Sequence, residues 1–209
     1  HMLKQMDLLY PCFATRTEIL NFVCKAHGSD YPKDPDGSPL YPGIYKATDT
    51  AEIKQKLADG EPHCLRIHMD RAIELALKKS GGKIFYTCFN PINFDREIKV
   101  VDPSRWGDAV IARKDVPTSY HLSVVVDDAL QNVTHVTRGK DLEPATDIHR
   151  LLQILLDLPA PFYHHHRLIT DDKLMKLSKS RKAKSLARLK DEGLSPNDIR
   201  FQLGLPLLV

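Results

Sequence analysis

No apolar run in this 209-residue chain approaches the ~20 residues that a bilayer-spanning helix needs, so no such helix is expected. No positively charged, apolar leader opens the sequence either, and a cytoplasmic location is the expectation. Cysteine is scarce: Cys12, Cys24, Cys64 and Cys88 form no C-x-x-C pair and no dense framework, which excludes a disulfide scaffold. They read as small buried or half-buried residues. An excess of charge of one sign is missing too. Thirty Lys/Arg face 27 Asp/Glu, and a net charge of +3 does not by itself imply nucleic acid. With 10 Gly, 14 Pro and no internal repeat or low-complexity tract, collagen-like and disordered classes fall away. What is left is a chain long enough for one large domain, or one domain with a subdomain.

The first stretch carries clear punctuation. Thr15-Arg-Thr-Glu18 has the form of a capping box and precedes Ile19, Phe22, Val23 and Ala26, so a helix is expected over 15–27. Pro32, Pro35, Pro39 and Pro42 around Asp34-Pro-Asp-Gly37 make 28–43 a loop. Asp49, with Glu52 three residues on, opens a second helix at about 49–58. The middle third then alternates: 65–69, 83–89, 98–101 and 109–112 read as short strands around one amphipathic helix, 72–79, that ends at Gly81-Gly82.

From Tyr120 an α/β pattern is expected. The apolar end of His121–Val126 suggests a strand covered on both faces, with Asp127-Asp128 capping the turn after it. A short strand over 133–137, a helix over 144–156 with Ile148, Leu151, Leu152 and Leu155 on one stripe, and a strand over 162–169 complete a crossover unit of a parallel sheet. His164, His165 and His166 are adjacent on that strand, point to alternate faces and cannot converge on one metal.

The chemistry concentrates near the end. Eight Lys/Arg against four Asp/Glu lie between Asp171 and Glu192, centred on Lys176-Leu-Ser-Lys-Ser180. Two lysines three apart with neighbouring hydroxyls can face polyphosphate oxygens and stabilise charge moving onto a departing pyrophosphate. A solvated basic loop is the other reading of the pentapeptide alone.

That pentapeptide resembles the KMSKS signature of class I aminoacyl-tRNA synthetases, with leucine for methionine. Leu8–Arg16, Trp106–Arg113, Tyr120–Ala129, Val136–Leu142 and Tyr163–Ile169 follow in the order and spacing of the glutamyl-tRNA synthetase catalytic domain. The resemblance covers nearly the whole chain. It implies an α/β fold: part of a class I Rossmann-type parallel sheet with an inserted mixed α+β, acceptor-type subdomain. Residues 3–118 would be the end of the first Rossmann half and the insertion, and 119–209 the second half, with the KLSKS loop and short helices at about 182–192 and 196–203. The short stretch after that loop resembles the truncated glutamyl-queuosine tRNA(Asp) synthetase family. That family activates glutamate with ATP and transfers it to queuosine of tRNA(Asp).

The resemblance further places Tyr120 and Arg138 in the glutamate pocket. A guanidinium suits a substrate carboxylate, and a tyrosine hydroxyl can orient the amino acid. It assigns Lys179 to ATP and makes Lys176 and Ser178 its catalytic companions, with Mg2+ accompanying the ATP. Expected partners are glutamate and tRNA, tRNA(Asp) ahead of tRNA(Glu), and no membrane. No HIGH-type element is present, so the chain is expected to begin where the family enters its insertion and to activate glutamate weakly or not at all. Some members bind zinc through a C-x-C pair and a later Y…C pair. Here Ala14 replaces one cysteine, and Cys12, Cys24 and His27 do not complete a four-coordinate site, so zinc is not expected. A non-catalytic RNA-binding module, using the basic 181–190 stretch, is the reading from a different class.

Overall fold

Local signals account for the first elements of the computed structural model, which describes residues 1–27 (His27 by its backbone only), 30–171, 175–177 and 183–207. A short helix α1 (Met2–Gln5) leads into strand β1 (Leu9–Cys12). Helix α2 (Arg16–His27) opens on the expected capping box: Glu18 N–H donates to Thr15 Oγ1 at 3.2 Å, and Thr15 N–H donates to the Glu18 carboxylate at 2.6 Å. In the proline loop the Asp34 carboxylate accepts from the N–H groups of Asp36 and Ser38, at 3.0 and 2.9 Å, and Gly37 supplies φ +83°. Asp49 caps α3 (Thr50–Ala58), as its position implied.

Next come β2 (Cys64–Ile67), α4 (Met69–Lys79), β3 (Phe85–Phe89), β4 (Arg96–Val100) and β5 (Val110–Ala112). β1, β2 and β5 form an antiparallel sheet in that order, with Leu9 opposite Ile67 and Cys12 opposite Cys64. The corner before β5 is held by Asp108. Its carboxylate accepts from Tyr10 Oη at 2.7 Å and Met69 N–H at 3.0 Å and pairs with Lys46 at 3.1 Å, tying β1 to the start of α4.

The expected strand at His121–Val126 is instead a helix, α5 (Tyr120–Leu130), and Asp127-Asp128 lie in its last turns. A short apolar run cannot separate buried strand from helix by periodicity alone. Here Ser119 is extended and accepts from Leu122 N–H at 3.4 Å, and Val125 is buried against α6 (Thr146–Leu155). The valine run costs only a few tenths of a kcal/mol per residue in helix propensity, which this packing overrides.

β6 (His135–Gly139), α6 and β7 (Phe162–His166) supply the expected strand–helix–strand unit. The second sheet runs β4-β3-β7-β6, with β3 and β7 parallel and β3 and β4 an antiparallel hairpin. Every residue of α6 except Arg150 is buried. Its core, Ile148, Leu151, Leu152 and Leu155, meets Ala72 and Ala76 of α4 and Val125 of α5. A smaller cluster of Cys12, Ala14, Ile19, Val23 and Cys64 lies under the proline loop.

The described residues divide into two compact units. One holds His1–Arg138 and Leu142–His165, the other Gly139–Asp141 and His166–Val209. The second contains α7 (Leu186–Asp191) and α8 (Pro196–Gln202), in place of the expected helices at 182–192 and 196–203, and neither has a buried residue. Ser185 caps α7, and Ser195 forms a full capping box with Asp198 on α8. Among the described residues no helix is long and apolar enough to cross a membrane.

Candidate functional site

Four elements of the first unit bring polar side chains to one place. β6 contributes Arg138 from its penultimate position, α6 contributes Thr146 and His149 one turn apart, β7 contributes His165, and the first turn of α5 contributes Tyr120 and His121. Arg138 donates from Nε to His165 Nε2 at 3.2 Å, from Nη2 to Thr146 Oγ1 at 2.5 Å, and from Nη1 to His149 Nδ1 at 3.1 Å. Its guanidinium carbon lies 5.2 Å from the centre of the Tyr163 ring. Among the described residues no carboxylate forms an ion pair with it. A guanidinium has five N–H groups, so the three hydrogen bonds leave two for a ligand.

The histidines around this cation stay neutral. Burial, then the charge of Arg138, lowers His149 to a pKa of about 2, and the same two causes lower His121 and His165 to about 4. His149 Nε2 lies 3.2 Å from His121 Nδ1. Tyr120 is half exposed, with its ring 5.6 Å from both imidazoles, and Trp106 stands 5.4 Å from His121. Tyr120 and Arg138, paired in the sequence reading, therefore flank the same His149 ring. A cavity of about 580 Å³ beside Tyr120 and His121 is lined by Arg16, Arg66, Arg113 and Lys114.

Sequence reasoning missed His121, His149 and Thr146. Thr146 and His149 at i,i+3 on one helix face were the available signal. His165 is a partner of Arg138, whereas His164 meets Phe89 O and His166 meets Arg167 O, so the three have separate partners. Asp128 is raised from the ordinary carboxylate value chiefly by burial, with the neighbouring Asp127 adding to the shift.

In the second unit, Lys176 pairs with the Asp141 carboxylate and holds it below the ordinary range. A Cβ at Gly139 would meet Asp141 Oδ1, so that carboxylate would have to shift to admit one. Ser178 and Lys179 lie outside the described residues. Of the residues weighed for zinc, Cys12 is buried with its thiol 3.4 Å from Tyr41 Oη, Cys24 is exposed, and the His27 side chain is not described. Among the described residues no group of three or more His, Cys, Asp or Glu could hold a metal ion.

Residues 10–205 match the family described as tRNA synthetases class I (E and Q), catalytic domain. The chain is 42% identical, over 97% of its length, to a glutamyl-Q tRNA(Asp) synthetase of Rhodobacter capsulatus, of which it covers 69%. It is 32% identical, over 98% of its length, to a protein of the same name from Nocardia farcinica, of which it covers 58%. A crystal structure of a glutamate-tRNA synthetase from Elizabethkingia anophelis superposes with a TM-score of 0.60 at 21% identity, covering 86% of this chain and 34% of that one. That last likeness is one of fold.

Proposed function

The chain belongs to the class I tRNA synthetases of the glutamate and glutamine type, and on that premise we propose that it carries the larger part of a glutamyl-Q tRNA(Asp) synthetase. The reaction is activation of glutamate with ATP, followed by transfer to queuosine of tRNA(Asp). The observation that carries this reading is Arg138: a cation with no counter-ion among the described residues, two unused N–H groups, and Tyr120 across the same imidazole. A carboxylate supplies the missing charge and accepts two parallel N–H bonds, which a neutral ligand does not.

In this proposal Arg138 binds a glutamate carboxylate and Tyr120 orients the amino acid. Lys179, with Lys176 and Ser178, holds the phosphates of ATP, which enters with Mg2+ as substrate. Residues 3–118 are the insertion with the end of the first Rossmann half, and 119–209 the second half. The protein works in the cytoplasm.

The deciding experiment is transfer of radiolabelled glutamate by the product of the whole reading frame. Label entering tRNA(Asp) only when queuosine is present is the expected result. Charging of tRNA(Glu) would make the protein a glutamyl-tRNA synthetase. Salt-sensitive tRNA binding with no ATP-dependent transfer would make it an RNA-binding module.

A further inference from the structure

We infer that Arg138 locks the tautomers of three histidines, and through His149 turns His121 into a fixed N–H donor toward the cavity beside Tyr120. The tautomers rest on geometry alone, and only the identity of the ligand rests on the proposed function.

A guanidinium donates and never accepts. Arg138 Nη1 is 3.1 Å from His149 Nδ1, so Nδ1 is the acceptor and the neutral ring carries its proton on Nε2. That Nε2 is 3.2 Å from His121 Nδ1, which must then accept, so the His121 proton also sits on Nε2. On the other side, Arg138 Nε is 3.2 Å from His165 Nε2, which leaves the proton of that ring on Nδ1. The Thr146 hydroxyl accepts from Arg138 and, 3.2 Å from His165 Nε2, shares the single lone pair of that nitrogen with Arg138 Nε–H. His165 Nδ1 is buried without a partner, so the contacts at Nε2 alone decide that ring. One cation thus sets two rings as Nε2–H and the third as Nδ1–H.

Protonating His149 would turn an N–H at Arg138 and an N–H at Nδ1 against each other at 3.1 Å, on a ring that is itself buried. The groups facing His121 are Trp106, Tyr120 and His149, with Arg138 and Asp34 the charges that bear on it. The positive charge of Arg138 and the burial of the ring both oppose protonation. With Nδ1 turned to His149, Nε2 is the polar atom of His121 left for the cavity that the residue lines with Ser119, Tyr120 and Arg66. A permanent donor there selects an oxygen acceptor, a carboxylate or carbonyl, and disfavours an ammonium group.

The test is the long-range 1H–15N spectrum of the histidine side chains in the uniformly labelled chain. His149 and His121 should show the Nε2–H pattern and His165 the Nδ1–H pattern, all unchanged between pH 5 and pH 8, inside the range where a free imidazole titrates near 6.5. In His149→Gln the amide oxygen accepts from Arg138 and its N–H2 donates onward, so His121 keeps its tautomer. In His149→Leu the relay is cut and His121 becomes a mixture of both forms. A wild-type His149 that is charged or carries its proton on Nδ1 overturns the inference, as does an unaltered His121 in a folded His149→Leu. These spectra decide the relay whether or not glutamate binds. A correct tautomer set alongside a whole-reading-frame product that fails to transfer glutamate sinks the proposed function and leaves the relay standing.

Discussion

α6, ten residues long, and α8, seven, are helices held by opposite means. α6 has no side-chain cap and buries all its residues but Arg150, four of them polar groups placed on specific partners: Thr146 and His149 on Arg138, Asp147 on Arg105, Gln153 on Tyr163. α8 buries nothing, yet opens with a complete capping box and Pro196 in its first turn. The first exists because the rest of the unit encloses it. The second is specified within its own few residues. Short helices in water are marginal without such tertiary support, so the two should respond to different perturbations.

The largest expected effect is on the enclosed helix. Leu151→Ala removes a side chain with no exposed surface and should cost about 3 kcal/mol in a denaturant titration, with no change in slope. A loss well under 1 kcal/mol would mean that the α4–α5–α6 core is looser than its burial implies.

Acid comes next. The histidines of the site have pKa values below those of an unfolded chain, so the folded state binds fewer protons. Their contribution to stability is complete above about pH 6.5 and is lost as pH falls from there toward about 4 for His121 and His165 and about 2 for His149. His149, the most buried, should account for about 1.4 kcal/mol per pH unit in that window, and half-exposed His165 for less. Denaturant midpoints from pH 7 to pH 5 measure this. A flat profile would show that the rings are not buried as neutral groups.

On the exposed side, Ser195→Ala should weaken α8 by about 1 kcal/mol, seen as faster amide exchange within Pro196–Gln202 and no shift in the unfolding of the first unit. Slowed or unchanged exchange would mean that something other than the cap holds α8. Smallest of all, Lys176→Met removes an exposed ion pair with Asp141 and should change stability by about 0.5 kcal/mol or less. A larger loss would give that pair a structural role.

The same contrast governs what could be read from the sequence. Thr15-x-x-Glu18, Asp49 and the Asp34-Pro-Asp-Gly37 turn act on atoms within four residues, and each is found where its residues place it. The stripe of α6 was legible because its apolar spacing is helical. α5 was not, since its valines satisfy a buried strand as well as a buried helix and the choice is made by α6 packing against Val125. In the site, Tyr120 and Arg138 were picked out by a resemblance and do flank one imidazole. The tie to that imidazole was not legible: His149 is 28 residues from His121 and 11 from Arg138, and its i,i+3 spacing from Thr146 was a local sign that points to neither. Asp108 was passed over for the same reason, as its partners Tyr10, Lys46 and Met69 are distant in the chain.

The enclosure of α6 also shapes how this sequence can drift. A surface helix tolerates replacement on its outer face, so a record of accepted substitutions along it rises and falls every three to four residues. Along Thr146–Leu155 that rhythm should vanish, leaving a block of closed positions interrupted at Arg150, the one residue of the helix with a way out. Even there the freedom is partial, because the Arg150 guanidinium donates to Phe85 O at 2.8 Å across the fold. A library of variants across the helix would show this as one broad trough with a shallow notch, where an ordinary amphipathic helix gives a wave.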